Sequence, residues 1–191
     1  MKNSNLVKLS ILAPCYNEEK NINEFYDRTH KTLKKLGLEN YEIIFIDDGS
    51  IDKSWNIIKE KKIFDKKIKG IKLQKNFGHQ NAILAGLKIA KGSYTLVIDT
   101  DLQDPPELIE KMYNKIETSD VNIISCQRNT RKDNFFKKIT ASIFYYMFNL
   151  ISKTKIKKQV SDFKIFDKKV VNFLNSLEEN EPFIRGLIRL S

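Results

Sequence analysis

The sequence predicts an α/β fold built on a doubly wound, mainly parallel sheet flanked by helices. Short apolar runs alternate along the chain with segments in which apolar residues recur at helical spacing. Turn-forming residues such as Gly37 and Gly92 separate these segments. A chain that alternates strand and helix in this way requires right-handed crossover connections, which place helices on both faces of a parallel sheet.

The strand candidates are apolar runs bounded by turn residues, at 9–13, 41–46, 68–73, 94–98 and 121–126. Helical patterns lie between them, at about 18–36, from a cap at Ser50 through 62, at 81–90 and at 105–117. A further short strand is predicted at 160–166 and a helix at 168–177. The spacing therefore predicts that the alternation covers most of the chain.

Residues 134–152 form an aromatic-rich, amphipathic helix candidate with lysines near both ends. Basic flanks and an aromatic face are typical of a helix that lies at a membrane interface. The same aromatic side chains would serve equally well as core packed on the sheet, because periodicity does not distinguish the two environments. Both interpretations remain open at this point.

Composition limits the class of protein. A length of 191 residues fits one domain, and the two cysteines follow no metal-ligand spacing, which predicts free thiols. We expect no signal peptide, and no apolar run reaches the roughly 20 residues needed to cross a bilayer. From Arg128 to Lys158 there are nine Lys or Arg residues and one acid, within a net charge of +10. This asymmetry predicts an anionic partner such as nucleic acid, lipid headgroups or a phosphorylated substrate, with a solubilising lysine surface as the alternative.

The most informative segment is the acidic loop at 99–107, which follows the strand candidate at 94–98. Asp99 and Asp101 place two carboxylates one residue apart, a pattern that suits a hard divalent cation holding a diphosphate. Asp104, Pro105 and Glu107 are interpreted as helix N-cap, first helical residue and capping-box partner. An ordinary acidic turn between a strand and a helix would show the same short pattern.

The position of this loop in the predicted sheet favours a binding site. Ligands of doubly wound sheets bind outside the carboxyl ends of the strands. The polar segments at 14–18, 47–50 and 76–78 follow three other strand candidates and belong at the same edge. We therefore expect four polar loops to meet around one site.

Several motifs occur in a fixed order over nearly the whole chain: APCYNEE at 13–19, IDDGS at 46–50, NFG at 76–78, DTDLQDPPE at 99–107, Arg128, SDFK at 161–164 and FIRG at 183–186. Taken together they resemble the inverting nucleotide-sugar transferases of family two, which have the GT-A fold. The similarity is greatest to the polyprenyl-phosphate hexose synthases. Each motif is weak alone, but their order and separation are specific.

The resemblance implies roles on the donor side and a bound Mg²⁺ or Mn²⁺. Asp101 is the expected direct metal ligand, Asp99 is expected to bind the metal or the ribose, and Gln103 to lie beside the diphosphate. The base and ribose are expected to contact a further set of residues, Pro14, Tyr16, Glu18 and Asp47. Thr100, where the family more often has alanine, is counted with the donor-binding residues. For Asp48, a structural role in the turn ranks first.

On the acceptor side, the resemblance implies that Arg128 contacts phosphates, that Asp162 lies near the acceptor and that Arg185 helps to hold the acceptor phosphate. Residues 128–191 would then form the acceptor-side, membrane-facing part of a single domain. His79 is interpreted as a helix-start residue rather than a catalyst. The family often continues into membrane-spanning helices after the Arg-Gly element, so we expect either a truncated chain or a partner, another protein or a second copy, that provides the anchor.

These expectations add up to a hexosyltransferase that uses UDP- or GDP-hexose and a polyprenyl phosphate, peripheral at the cytoplasmic face of the membrane. Transfer to a cell-surface glycan is the alternative within enzymes. A nucleotide- or nucleic-acid-binding module without catalysis is the alternative of another class. Nucleic acid is not expected as a partner, because no recognised reading motif accompanies the basic charge.

Overall fold

A computed structural model describes residues 6–127 and 160–177. The elements follow the predicted alternation, with these bounds: β1 Leu9–Cys15, α1 Ile22–Lys35, β2 Tyr41–Asp47, α2 Ser54–Phe64, β3 Ile68–Lys72, α3 His79–Ile89, β4 Tyr94–Val97, α4 Leu108–Thr118, β5 Ile123–Gln127, β6 Val160–Asp167 and α5 Lys168–Ser176. The helix candidate at 134–152 lies outside the described residues.

The strands form one sheet of six in the order β3-β2-β1-β4-β6-β5. The strands from β1 to β4 are mutually parallel where they pair, whereas β6 runs antiparallel to both β4 and β5. Helices pack on both faces, which confirms the expected doubly wound, mainly parallel architecture. The reversed direction of β6 brings its first residues to the edge where the parallel strands end.

The core lies in two layers, one on each face of the sheet. Phe25 of α1, Ile58 of α2 and Ile109 of α4 pack on one face. Ala82 of α3 and Val170 of α5 pack on the other. Every residue of β1 and of β2 is buried. Strands covered on both faces are nearly continuous in apolar residues, which is why these two were visible in the sequence.

The predicted helix caps are wrong at two places. Helix α2 begins at Ser54 rather than after Ser50, and the Ser54 amide donates to Asp52 Oδ1 at 2.9 Å. Helix α4 begins at Leu108, so Asp104 and Pro105 both lie before the helix, and Glu107 at its N-cap position makes no side-chain capping hydrogen bond among the described residues. Glu107 instead binds the Arg28 guanidinium with both oxygens, at 2.9 and 2.7 Å. A charged fork on α1 is a stronger partner for this carboxylate than a single backbone amide.

Candidate active site

A cavity of about 300 Å³ opens at the carboxyl edge of the sheet. The loops after β1, β2, β3 and β4 all contribute to its wall, as the sequence predicted. The lining residues are Pro14, Cys15, Tyr16, Glu18, Asp48, Asn76, His79, Ala82, Asp99, Thr100 and Asp101.

Hydrogen bonds to the next loop fix the loop after β1. The backbone amide of Asn17 donates to Ser50 Oγ at 2.9 Å, and that of Glu18 to Ser54 Oγ at 2.8 Å. Asn17 adopts a left-handed conformation with φ of 57°, and its side-chain oxygen accepts from the Ile51 amide at 3.0 Å. The Ser50 side chain therefore accepts a hydrogen bond from the loop after β1 and does not cap a helix. The result is a shaped wall on the side expected to hold the base and ribose.

The two aspartates at the end of β2 have different partners. Asp48 lines the cavity, and its two oxygens accept the amides of Phe77 and Gly78 at 2.8 and 2.9 Å. It ties the loop after β3 to the end of β2, a structural role different from the one expected for it in the turn into Gly49 and Ser50. Asp47 is fully buried and does not line the cavity, and its Oδ1 accepts from the Ser50 amide at 2.9 Å. The Asp47 Oδ2 is buried without a hydrogen-bond partner among the described residues.

Hydrogen bonds fix the acidic loop at the wall of the cavity. The Thr100 hydroxyl donates to the Pro14 carbonyl at 3.2 Å, and Asp101 Oδ1 accepts from the Gln103 amide at 3.0 Å. Leu102 has a left-handed φ of 60° and packs against the core. Burial raises the pKa of Asp99 to about 6, helped by the nearby carboxylates of Asp101 and Asp162 and opposed by His79.

These features fit a divalent cation. Asp99 Oδ1 is a buried acceptor without a hydrogen-bond partner among the described residues, and Asp101 is also at the cavity wall. A cation next to Asp99 would offset the close carboxylates that raise its pKa. Residues 6–127 and 160–177 hold no group of three or more His, Cys, Asp and Glu side chains arranged for a metal. Two carboxylates completed by substrate phosphates and water are a common arrangement for Mg²⁺.

Strand β6 brings Asp162, the residue expected near the acceptor, to the edge where β4 ends. Val97 of β4 pairs with Lys164 in the antiparallel register, so Asp162 and Asp99 lie two residues beyond that pair at the same edge. The His79 ring lies between them, with Nε2 at 3.5 Å from Asp99 Oδ1 and 3.6 Å from Asp162 Oδ2. Lys164 Nζ is 3.8 Å from Asp162 Oδ1.

Most of the predicted site residues come together in this arrangement. Five of the donor-side candidates, namely Pro14, Tyr16, Glu18, Asp99 and Thr100, line the cavity, as does the metal candidate Asp101. Asp162 contacts His79, which lines the same cavity. Gln103 is exposed on the acidic loop. Arg128 and Arg185 lie outside the described residues.

Sequence reasoning missed the place of His79. It does begin α3, as interpreted, but it also lines the cavity and contacts two carboxylates. Its position directly after Gly78, in one of the four polar loops at the carboxyl edge, was the available signal. The contact with Asp162 depends on the direction of β6, which local periodicity does not reveal.

The comparisons with known proteins assign the fold and its carboxylate-lined cavity to a family of glycosyltransferases. Residues 10–177 match the model of glycosyl transferase family 2, and the chain belongs to this family. The uncharacterized glycosyltransferase YkcC of Bacillus subtilis is 40% identical over 182 residues, which are 95% of this chain and 56% of the relative. The bactoprenol glucosyl transferase of Shigella phage SfV is 34% identical over 95% of this chain and 59% of its own length. The chain thus spans a little over half the length of these curated relatives.

Solved structures confirm the GT-A fold. The mannosyltransferase PcManGT from Pyrobaculum calidifontis, in complex with GDP-Man and Mn²⁺, superposes with a TM-score of 0.60 at 14% identity, over 90% of this chain and 47% of that one. Glucosyl-3-phosphoglycerate synthase from Mycobacterium tuberculosis, in complex with Mn²⁺, UDP and phosphoglyceric acid, gives 0.57 at 15% identity, over 85% of this chain and 56% of the other. At these identities the likeness concerns the fold alone.

Proposed function

We propose that this chain is the catalytic domain of an inverting hexosyltransferase that transfers a sugar from a nucleoside diphosphate to a polyprenyl phosphate. The observation that carries the proposal is that Asp99 and Asp101 line one cavity and that Asp162 contacts His79, which lines the same cavity. Identity of about a third to bactoprenol glucosyl transferases over 95% of the chain supports the lipid acceptor.

In this proposal the donor lies along the loops after β1 and β4. Tyr16 and Glu18 face the base and ribose, and Asp47 accepts a hydrogen bond from the base through its Oδ2, which is unpartnered within the described part of the chain. Asp101 and Asp99 hold Mg²⁺ or Mn²⁺, with Gln103 beside the diphosphate. The bound cation would offset the negative charge that develops on the leaving diphosphate.

The acceptor enters beside β6. An oxygen of its phosphate attacks the anomeric carbon from the face opposite the diphosphate, the bond from that carbon to the diphosphate oxygen breaks, and the configuration inverts. A phosphate monoester with a second pKa near 6 is already largely ionised at neutral pH, so a strong base is not required. Asp162 orients the acceptor, and Arg128 and Arg185 bind phosphates.

A polyprenyl phosphate resides in a membrane, so the proposal includes a peripheral position at its cytoplasmic face. The basic segment 128–158 would meet anionic headgroups there. Within the part of the chain that the structure describes, no helix has both the length and the apolar character to cross a bilayer. A longer chain, a second copy or a membrane-anchored partner would then hold the domain at its acceptor.

Calorimetry tests the donor site. UDP and GDP are titrated with and without Mn²⁺ into the full chain, into Asp101→Ala and into Asp120→Ala, an exposed aspartate between α4 and β5. We expect metal-dependent binding that falls at least about tenfold in Asp101→Ala and is unchanged in the control. Equal binding without metal would contradict the proposed metal site. The same titrations decide between uridine and guanosine.

Sugar transfer tests the acceptor. With a radiolabelled nucleotide sugar, label should enter the organic phase only when polyprenyl phosphate is present. Label found only in water-soluble glycan would instead support the glycan acceptor. Tight oligonucleotide binding with a steep salt dependence, without binding of nucleotide sugar, would support the module without catalysis.

A further inference from the structure

The side chain of His79 occupies an unusual place between two carboxylates. Its Nε2 is 3.5 Å from Asp99 Oδ1 and 3.6 Å from Asp162 Oδ2. Both Nε2 and Asp99 Oδ1 are buried atoms without a conventional hydrogen-bond partner among the described residues. A proton on Nε2 would face Asp99 Oδ1 and Asp162 Oδ2 at the same time.

Rigid elements determine where this ring lies. His79 is the first residue of α3, and the amide of the preceding Gly78 donates to Asp48 Oδ2 at 2.9 Å. The helix then packs on the sheet through the buried Ala82 and Ile83. The backbone at His79 is therefore tied to the end of β2 on one side and to the core on the other.

The carboxylate of Asp162 is held from both sides. Its Oδ1 is 3.8 Å from the buried ammonium of Lys164 on the same face of β6, while its Oδ2 faces His79. The contact with Lys164, on the same strand, does not by itself determine the distance of the carboxylate from Asp99. The contact with the imidazole connects the carboxylate to the acidic loop after β4.

We infer that His79 is a positioning residue that holds the carboxylate of Asp162 at a fixed place relative to Asp99, and so aligns the acceptor with the donor. This inference rests on the proposed function. Two neighbouring carboxylates repel each other, and an N–H between them stabilises one relative arrangement. In the transfer reaction, a displacement of about 1 Å in an orienting group can reduce the rate of the chemical step about 100-fold.

The kinetic test compares His79→Leu, which removes the N–H, with His79→Gln, whose side-chain amide can donate near the position of Nε2. His30→Leu is the matched control, because His30 does not line the cavity. The Nδ1 atom of its ring lies 2.9 Å from the Tyr41 hydroxyl oxygen. We expect His79→Leu to lower kcat by about 10- to 100-fold while the Kd of the nucleotide with Mn²⁺ changes less than about threefold. His79→Gln should recover most of kcat, and His30→Leu should keep it. Unchanged kcat in His79→Leu, or equal losses in the Leu and Gln variants, would overturn the inference.

A second measurement does not depend on activity. The chain has two histidines, so long-range ¹H–¹⁵N spectra of the imidazoles contain two ring patterns. Asp162→Asn should change the pattern of His79, because the charge next to its Nε2 is removed, and should leave that of His30 in place. An unchanged His79 pattern would contradict the contact itself. Absence of sugar transfer by the unaltered chain would contradict the proposed function, so the two failures are distinguishable.

Discussion

Gly49 lies in the turn after β2 with a φ of 75°, and the loop after β3 passes directly over it. A Cβ added here would lie 2.4 Å from the carbonyl carbon of Lys75 and 2.7 Å from the backbone nitrogen of Asn76. These neighbours are backbone atoms, so no side-chain rotation relieves the contact. Gly49→Ala must therefore push the two loops apart.

The size of the effect follows from two contributions. A left-handed backbone costs an alanine roughly 1–2 kcal/mol. Restoring ordinary van der Waals separation requires a shift of about 1 Å between the loops. Such a shift stretches the two hydrogen bonds that the loop after β3 donates to Asp48, at 2.8 and 2.9 Å, which contribute on the order of 1 kcal/mol each or more. We expect Gly49→Ala to lower the free energy of unfolding by about 3–5 kcal/mol.

Gly37→Ala separates these contributions. Gly37 follows α1 with a φ of 66°, and a Cβ there would meet no atom within 4 Å. This control should therefore lose only the conformational part, about 1–2 kcal/mol. Urea unfolding with linear extrapolation measures both variants, and calorimetry with nucleotide and Mn²⁺ should show weaker binding for Gly49→Ala alone. Losses of stability that agree within about 0.5 kcal/mol would refute the argument that close approach of the backbone fixes the spacing of these loops.

Three further substitutions test buried polar contacts. Burial acts to raise the pKa of Glu42, but hydrogen bonds from Lys69, Ser10 and the Lys91 amide outweigh it and hold the pKa below the ordinary 4.5. Its stabilisation is present above pH 4.5 and is lost as the pH falls through the lower folded value, so Glu42→Gln should cost about 2 kcal/mol at pH 7 and progressively less in acid unfolding titrations. Asp48→Asn replaces one of the two oxygens that accept backbone amides by an NH₂ group, which cannot accept. The free energy of unfolding measured in urea should fall by about 2 kcal/mol, and nucleotide binding should weaken. Thr100→Val removes the bond to the Pro14 carbonyl, and should cost about 1 kcal/mol in the same urea assay. A Glu42→Gln deficit that does not change with pH, or Asp48→Asn and Thr100→Val variants as stable as the unaltered chain, would contradict these assignments.

The sequence predicted most elements because the pattern of burial is local. The strands β1 and β2 are buried throughout and mostly apolar since both faces of each are covered, and the helices on either side show one apolar face. The polar loops at 14–18, 47–50, 76–78 and 99–101 could be placed at one edge because a parallel sheet collects the carboxyl ends of its strands there. Their convergence on one cavity confirms that step.

The helix caps could not be predicted in the same way. Ser50 and Glu107 both have the right residue type for a helix start, and the spacing of Glu107 after Asp104 matches a capping box. In the folded chain, Ser50 accepts from the amide of Asn17 and Glu107 binds Arg28, 33 and 79 residues away along the chain. A local pattern does not contain these partners.

The sequence by itself determined the fold class, the family and the acidic loop with Asp99 and Asp101, because these depend on periodicity and on motifs in a fixed order. Tertiary structure alone decided the direction of β6 and its place between β4 and β5. That reversal brings Asp162 to the carboxyl edge and puts the ring of His79 between it and Asp99. A strand has the same period of two in either direction, so only its pairing with β4 could show which of its ends reaches the site.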